Sequence, residues 1–215
     1  MTVASTYNPA MLPNYWSQAA SDLSRDDPAM AELVERYAGA SLVSRGEAFG
    51  TLARSIVGQQ ISVKAADAVW GRFAAQIGDV TPGQVIAFGE SGLEGCGLSR
   101  RKIEYLCDLA RHLAVGKLDP AAWKHLGDEE IIAELTAVRG IGRWTAEMFL
   151  IFHELRPDVF PLDDIGLQRA VCARYFAGEK QPRRVVAELG ERWRPWRSVA
   201  TWYLWRSLDP VPVEY

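Results

Sequence analysis

Two short segments carry residue types and spacings that could do chemistry. The first is Arg139-Gly140-Ile141-Gly142-Arg143. Two helices joined by so tight a G-x-G turn leave N–H groups of the second helix's first turn without intrahelical acceptors. Together with the positive end of the helix dipole, those donors suit a phosphate oxygen. Glycine fits because a side chain would block close approach. The same letters also suit a helical hairpin whose glycines only make the turn. The second segment is Asp163-Asp164, just before Ile165-Gly166-Leu167-Gln168-Arg169. One carboxylate is enough to cap a helix start. The other is then available at the mouth of a pocket beside the hairpin.

Several other chemistries lack their residues. His112, His125 and His153 are isolated and offer no metal-ligand spacing. Cys96, Cys107 and Cys172 form no C-x-x-C pair and no cluster near the C-terminus, so neither a zinc nor an iron–sulfur centre is expected. They read as buried free thiols in a reducing compartment. No metal and no cofactor is expected. The N-terminal MTVASTYNPAMLPNYW has no basic start followed by an apolar run, so it does not read as a secretory leader. The longest unbroken apolar stretch, Met148 to Phe152, is far too short to span a bilayer. A cytoplasmic protein is expected, associated with the nucleoid in a bacterium.

The net charge of −3 and pI of about 5.7 count mildly against a nucleic-acid partner. The distribution weakens that objection. Between residues 168 and 207, Arg169, Arg174, Lys180, Arg183, Arg184, Arg192, Arg194, Arg197 and Arg206 face only Glu179, Glu188 and Glu191. A local basic face, not the total, attracts phosphate. Arg100-Arg101-Lys102 reads as a solvated helix start, with phosphate contact the lesser reading.

The elements that must position these residues read as helices. At 48% apolar and 24% charged, the 215-residue chain has ordinary globular composition, enough for one domain or two lobes sharing a core. Asp27-Pro28 reads as a cap and first-turn proline, with Met30, Leu33, Val34 and Tyr37 on one face. Ser62 opens a helix with Ala66, Val69, Trp70, Phe73 and Ile77 inward. Thr81-Pro82, Ser99, Asp119-Pro120, Asp128, Gln181-Pro182 and Arg194-Pro195 open others. After the hairpin turn a helix starts at once, with Trp144, Met148, Ile151 and Phe152 inward. Nothing alternates with period two for long enough to be a strand, and no repeat or low-complexity linker is visible. An all-α chain of roughly ten helices is expected.

Four blocks, in chain order SIVGQQISVKAA, CGLSRRKIEYLCDLA, GIGRWTAEMFLIF with DVFPLDDIGLQRA, and RWRPWRSVATWYLWRSL, resemble the helix-hairpin-helix (HhH-GPD) superfamily of DNA glycosylases. The likeness is to its alkylbase, or 3-methyladenine DNA glycosylase II, branch and covers about residues 45 to 208. It implies a two-lobed all-helical fold with an active-site cleft between lobes. One lobe would be 45–155, with the hairpin at about 128–153. The other would combine 1–44 with 156–215. It further implies a monomeric enzyme acting on damaged duplex DNA, with no membrane attachment.

The resemblance also implies roles for residues. Asp164 would be the catalytic carboxylate, beside a sugar carbon that becomes cationic, and Asp163 the cap. An alkylated purine is itself cationic and leaves readily, so no strong general acid is demanded. Bifunctional relatives carry a Schiff-base lysine at the position of Trp144, so a monofunctional enzyme is expected. Trp144 and Trp205 would line the base pocket with Met148 and Ile165, the last two standing where some relatives have tyrosines. Arg139, Gly140, Ile141, Gly142 and Arg143 would meet the DNA backbone, Arg139 replacing a frequent proline. Gln59 and Gln60 would fill the gap left by an extruded base. Related glycosylases for deaminated or oxidised purines, and non-catalytic hairpin modules, share the turn. The pocket residues and Asp164 distinguish them.

Overall fold

The computed structural model describes residues 13–44 and 46–208. Among them are eleven α-helices and no strand, in agreement with the all-α expectation. They are α1 (Trp16–Arg25), α2 (Pro28–Arg36), α3 (Ala48–Gly58), α4 (Val63–Ile77), α5 (Pro82–Gly92), α6 (Arg100–Ala114), α7 (Asp128–Thr136), α8 (Arg143–Phe152), α9 (Ile165–Tyr175), α10 (Arg183–Glu191) and α11 (Arg197–Leu208). No helix among the described residues is long and apolar enough to cross a membrane.

Side-chain caps explain many of the starts. Asp27 Oδ1 accepts from the N–H groups of Ala29 and Met30 at 3.1 Å, with Pro28 supplying a preset φ. Ser62, Thr81 and Ser99 accept from Ala65, Gln84 and Lys102, three residues on. The expected helix at Asp119-Pro120 is instead a turn followed by a single 3-10 turn, Trp123–His125. Trp123 is fully buried, its ring edge-on to Phe149 at 5.3 Å and its Nε1 donating to Glu134 Oε2 at 2.7 Å. Leu126 is then extended, and Gly127 already caps α7. α11 begins at Arg197, later than Arg194-Pro195 suggests, because Trp196 N–H closes a turn onto Trp193 O at 2.7 Å.

The described chain divides into two compact units, 13–44 with 150–208, and 46–149, so the division falls inside α8. The lobe boundaries expected above also run over residues 1–12, 45 and 209–215, which lie outside the described residues. In the first unit α11 is central, packed by α1, α2 and α9. Ser198 to Leu204 are all buried, as befits a helix enclosed on every side. Trp16 meets Trp202 edge-on at 5.2 Å. Buried Asp27 gathers the Tyr175 hydroxyl (2.8 Å) and Trp193 Nε1 (3.2 Å) on its Oδ2, so the α2 cap also joins three distant segments. In the second unit α3 packs on α4 and α6, and α5 on α4 and α6. Cys96, Cys107 and Cys172 are free and buried.

Candidate active site and nucleic-acid interface

In the unit of 46–149, α7 ends at Thr136 and α8 begins at Arg143, and the turn between them uses its two glycines differently. Gly140 has φ +85°, and a Cβ there would lie 2.1 Å from Cδ2 of Tyr105 on α6. Both the backbone and the neighbouring ring demand glycine. Gly142 has no such φ, and a Cβ added there would meet nothing within 4 Å. The protein itself does not require glycine at 142. Ile141 is 4% exposed, so its side chain anchors the turn in the core and only its backbone can face outward.

Both flanking arginines are engaged. Arg139 N–H donates to Asp108 Oδ2 at 2.9 Å, and its guanidinium lies 3.5 Å from Glu104. Arg143 binds Glu129 through both Nη atoms and Glu147 through Nε at 3.0 Å. The hydrogen bonds to Glu129 push the Arg143 pKa up, and in return hold the Glu129 carboxyl below its usual range. Gln59 and Gln60 part company. Gln59 Nε2 donates to Gly140 O at 2.9 Å, whereas Gln60 is exposed with φ +60°, an uncommon conformation for a residue with a Cβ. On α8, Trp144 is 39% exposed, outward where the periodicity placed it inward, and Met148 is buried.

The unit of 13–44 and 150–208 holds the carboxylates. The expected division of labour is reversed at the cap. Asp164 itself caps α9, its Oδ1 accepting from Leu167 N–H at 2.6 Å, while Asp163 pairs with Arg183 at 2.7 and 3.2 Å. The capping Oδ1 also accepts from Trp205 Nε1 at 2.8 Å, and Trp205 stacks on Phe152 at 5.7 Å and 11°. A Cβ at Gly166 would fall 3.1 Å from Asp164 Oδ1 and 3.4 Å from the Trp205 indole, so glycine there lets indole and carboxylate meet. The loop carrying Asp164 is tied down along its length. Asp158 binds Arg197 Nε at 2.7 Å, Val159 N–H donates to Ser198 Oγ at 2.8 Å, and Gln168 Nε2 donates to Leu162 O at 2.8 Å. Asp164 is 7% exposed, yet the adjacent Ile165 is 73% exposed, an apolar side chain offered to the outside.

Two N–H donors from different helices therefore fix one carboxylate beside an exposed apolar residue. Such a group can stabilise positive charge developing on a bound molecule and orient a water. Nothing in the letters pointed to Phe152, Tyr105 or Asp108 as supports. Gly166, two residues after Asp164, is the one support whose residue type carried a signal that close packing was needed.

Residues 53–195 match the family described as HhH-GPD superfamily base excision DNA repair protein. The Bacillus subtilis protein YfjP is 31% identical over 188 residues, 84% of this chain, and the chain spans 66% of its length. A crystal structure of DNA-3-methyladenine glycosidase from Bacillus halodurans is similar with a TM-score of 0.82 and 33% identity, over 97% of this chain and 93% of that one. The 3-methyladenine DNA glycosylase Mag1 of Schizosaccharomyces pombe, in complex with abasic DNA, is similar with a TM-score of 0.76 and 30% identity. That match covers 91% of this chain and 100% of Mag1.

Proposed function

Because the chain belongs to the HhH-GPD superfamily of base excision DNA repair proteins, we propose that it is a monofunctional DNA glycosylase that hydrolyses the N-glycosidic bond of alkylated purines in duplex DNA. The observation that carries the reading is Asp164, oriented by Trp205 Nε1 and Leu167 N–H and buried but for its exposed neighbour Ile165. As the base departs, the deoxyribose C1′ acquires oxocarbenium character. A fixed carboxylate stabilises that cation without reorganising and orients the attacking water. The bond broken is C1′–N of the purine; water supplies the hydroxyl at C1′, and its proton leaves with the base or to solvent. Trp205 and the exposed Ile165, both beside Asp164, shape the surroundings of a cationic, extruded base. In each round the turn at Gly140–Gly142 holds the DNA backbone through main-chain N–H groups. Capping α9 needs only Leu167 N–H, so the second donor, Trp205 Nε1, orients Asp164 beyond what a purely binding hairpin module requires.

The test is a panel of duplex oligonucleotides, each holding one alkylated, deaminated or oxidised purine, assayed for abasic sites. Alkylated purines are expected to be released fastest. Release of oxidised or deaminated purines alone would move the enzyme to another substrate class.

With Trp144 at the Schiff-base position, the abasic strand should stay intact until alkali is added. Borohydride trapping of a covalent enzyme–DNA adduct would defeat that expectation.

Gly142→Ala should leave the thermal midpoint unchanged, since the added methyl meets nothing in the protein. It should weaken binding by about tenfold for damaged and undamaged duplex alike, because a phosphate contact carries no lesion information. It should also slightly flatten the dependence of log K on log salt. Normal affinity at several salt concentrations would reduce the turn to a structural hairpin.

A further inference from the structure

The proposed chemistry leaves one face of α6 unused, and that face grips the hairpin. Lys102, Tyr105 and Asp108 recur every three residues and so lie along one side of the helix. Lys102 Nζ donates to Val57 O, in the last turn of α3, at 2.7 Å. Burial lowers the pKa of this lysine, as expected for an ammonium drawn off the surface onto a carbonyl. Tyr105 lays its ring against Gly140, and Asp108 takes the N–H of Arg139. From the α3 side, Gln59 is the C-cap residue, and its amide reaches the carbonyl of Gly140 at 2.9 Å. The peptide groups around Gly140 are therefore fixed from two directions, and the α3–α4 loop is tied to the hairpin turn directly and through α6.

We infer that Lys102, Tyr105 and Asp108, with Gln59, form a positioning saddle that sets the hairpin turn and the Gln59–Gln60 loop at one spacing, so that both engage the same duplex together. The inference rests on the glycosylase reading above. It also divides the glutamine pair: the Gln59 amide is committed within the protein, and Gln60, exposed in its left-handed conformation, is the member facing DNA. A saddle of this kind acts before the chemical step. Losing it costs binding free energy, because the turn must then be ordered when DNA arrives. Once DNA is bound, the reacting groups around Asp164 are unaffected.

The experiment measures dissociation constants of the whole chain for an undamaged duplex and for one holding a tetrahydrofuran abasic analogue. Single-turnover excision at saturating enzyme is measured alongside. Gln59→Glu keeps the size but cannot donate to Gly140 O when ionised, and Asp108→Ala removes the acceptor for Arg139 N–H. Each is expected to raise both dissociation constants by about five- to tenfold, the worth of one good hydrogen bond. The saturated excision rate should stay within about threefold of wild type, because the loss falls on binding shared by ground and transition states. Asp108→Asn, which retains an acceptor oxygen, should recover most of the affinity, a rescue that charge loss alone would not give. Gln59→Ala serves if the glutamate variant does not fold. Binding within twofold of wild type by Gln59→Glu and Asp108→Ala, with Gly142→Ala impaired, would overturn the saddle and leave the hairpin reading intact. Normal binding by all three would overturn the hairpin reading and the saddle with it.

Discussion

Asp164→Asn is expected to lose base excision by about a hundred- to a thousandfold while its fold and DNA binding persist. The magnitude is that of removing one preorganised group facing transition-state charge, about 2.7–4 kcal/mol. Asparagine is a fitting probe because it isolates the charge. Its carbonyl oxygen can still cap α9 through Leu167 N–H and still accept from Trp205 Nε1, and asparagine caps helices as well as aspartate does. The thermal midpoint should therefore hardly move. Asp163→Asn is the matched control. It weakens an ion pair with Arg183 in which both side chains are 62% exposed, and such pairs contribute at most about 1 kcal/mol. Excision by Asp164→Asn within tenfold of wild type, with folding unchanged, would falsify the assignment. Equal losses from both variants would point to the loop's conformation instead of a charge.

The second large effect is on stability. Gly140→Ala should destabilise the protein by about 2–5 kcal/mol, centred near 3 kcal/mol. Of this, about 1–2 kcal/mol comes from placing a Cβ residue in the left-handed region and about 1–3 kcal/mol from forcing it against Tyr105. For a chain of this length the midpoint should fall by roughly 6–12 °C. Combining the change with Tyr105→Ala should recover part of the loss, so the two changes should be non-additive. Thermal melts of the single and double variants measure this directly. A Gly140→Ala midpoint within 2 °C of wild type would mean that the turn relaxes around the methyl, and the distinction between the two glycines would be lost.

These expectations show what the letters could and could not carry. Helices with a side-chain acceptor at the start, such as those at Asp27, Ser62, Thr81 and Ser99, were legible because the cap is a local interaction. α1 went unread: its cap residue, Tyr15, makes no side-chain hydrogen bond to the helix. Asp119-Pro120 gave a false start because the burial of Trp123 overrode a sound local signal. The hairpin and the acidic pair could be found by spacing. Their internal assignments could not, since G-x-G and D-D are symmetric as text. Tyr105, from another helix, separates Gly140 from Gly142, and Arg183, twenty residues on, takes Asp163 and leaves the cap to Asp164. Gln59 and Gln60 divide for the same reason, the partner being a carbonyl 81 residues away.

The central claim is hydrolysis of a glycosidic bond in DNA, and intact-mass spectrometry of the reacted strand tests it most directly. A duplex with a single alkylated purine is incubated with the wild-type protein, and both the strand and the released small molecule are weighed. The expected result is free alkylated purine, together with a full-length strand that has exchanged the base at C1′ for one hydroxyl, the remaining proton of water being released to solvent. Tight binding with an unchanged strand mass, or a strand shortened without added alkali, would contradict it.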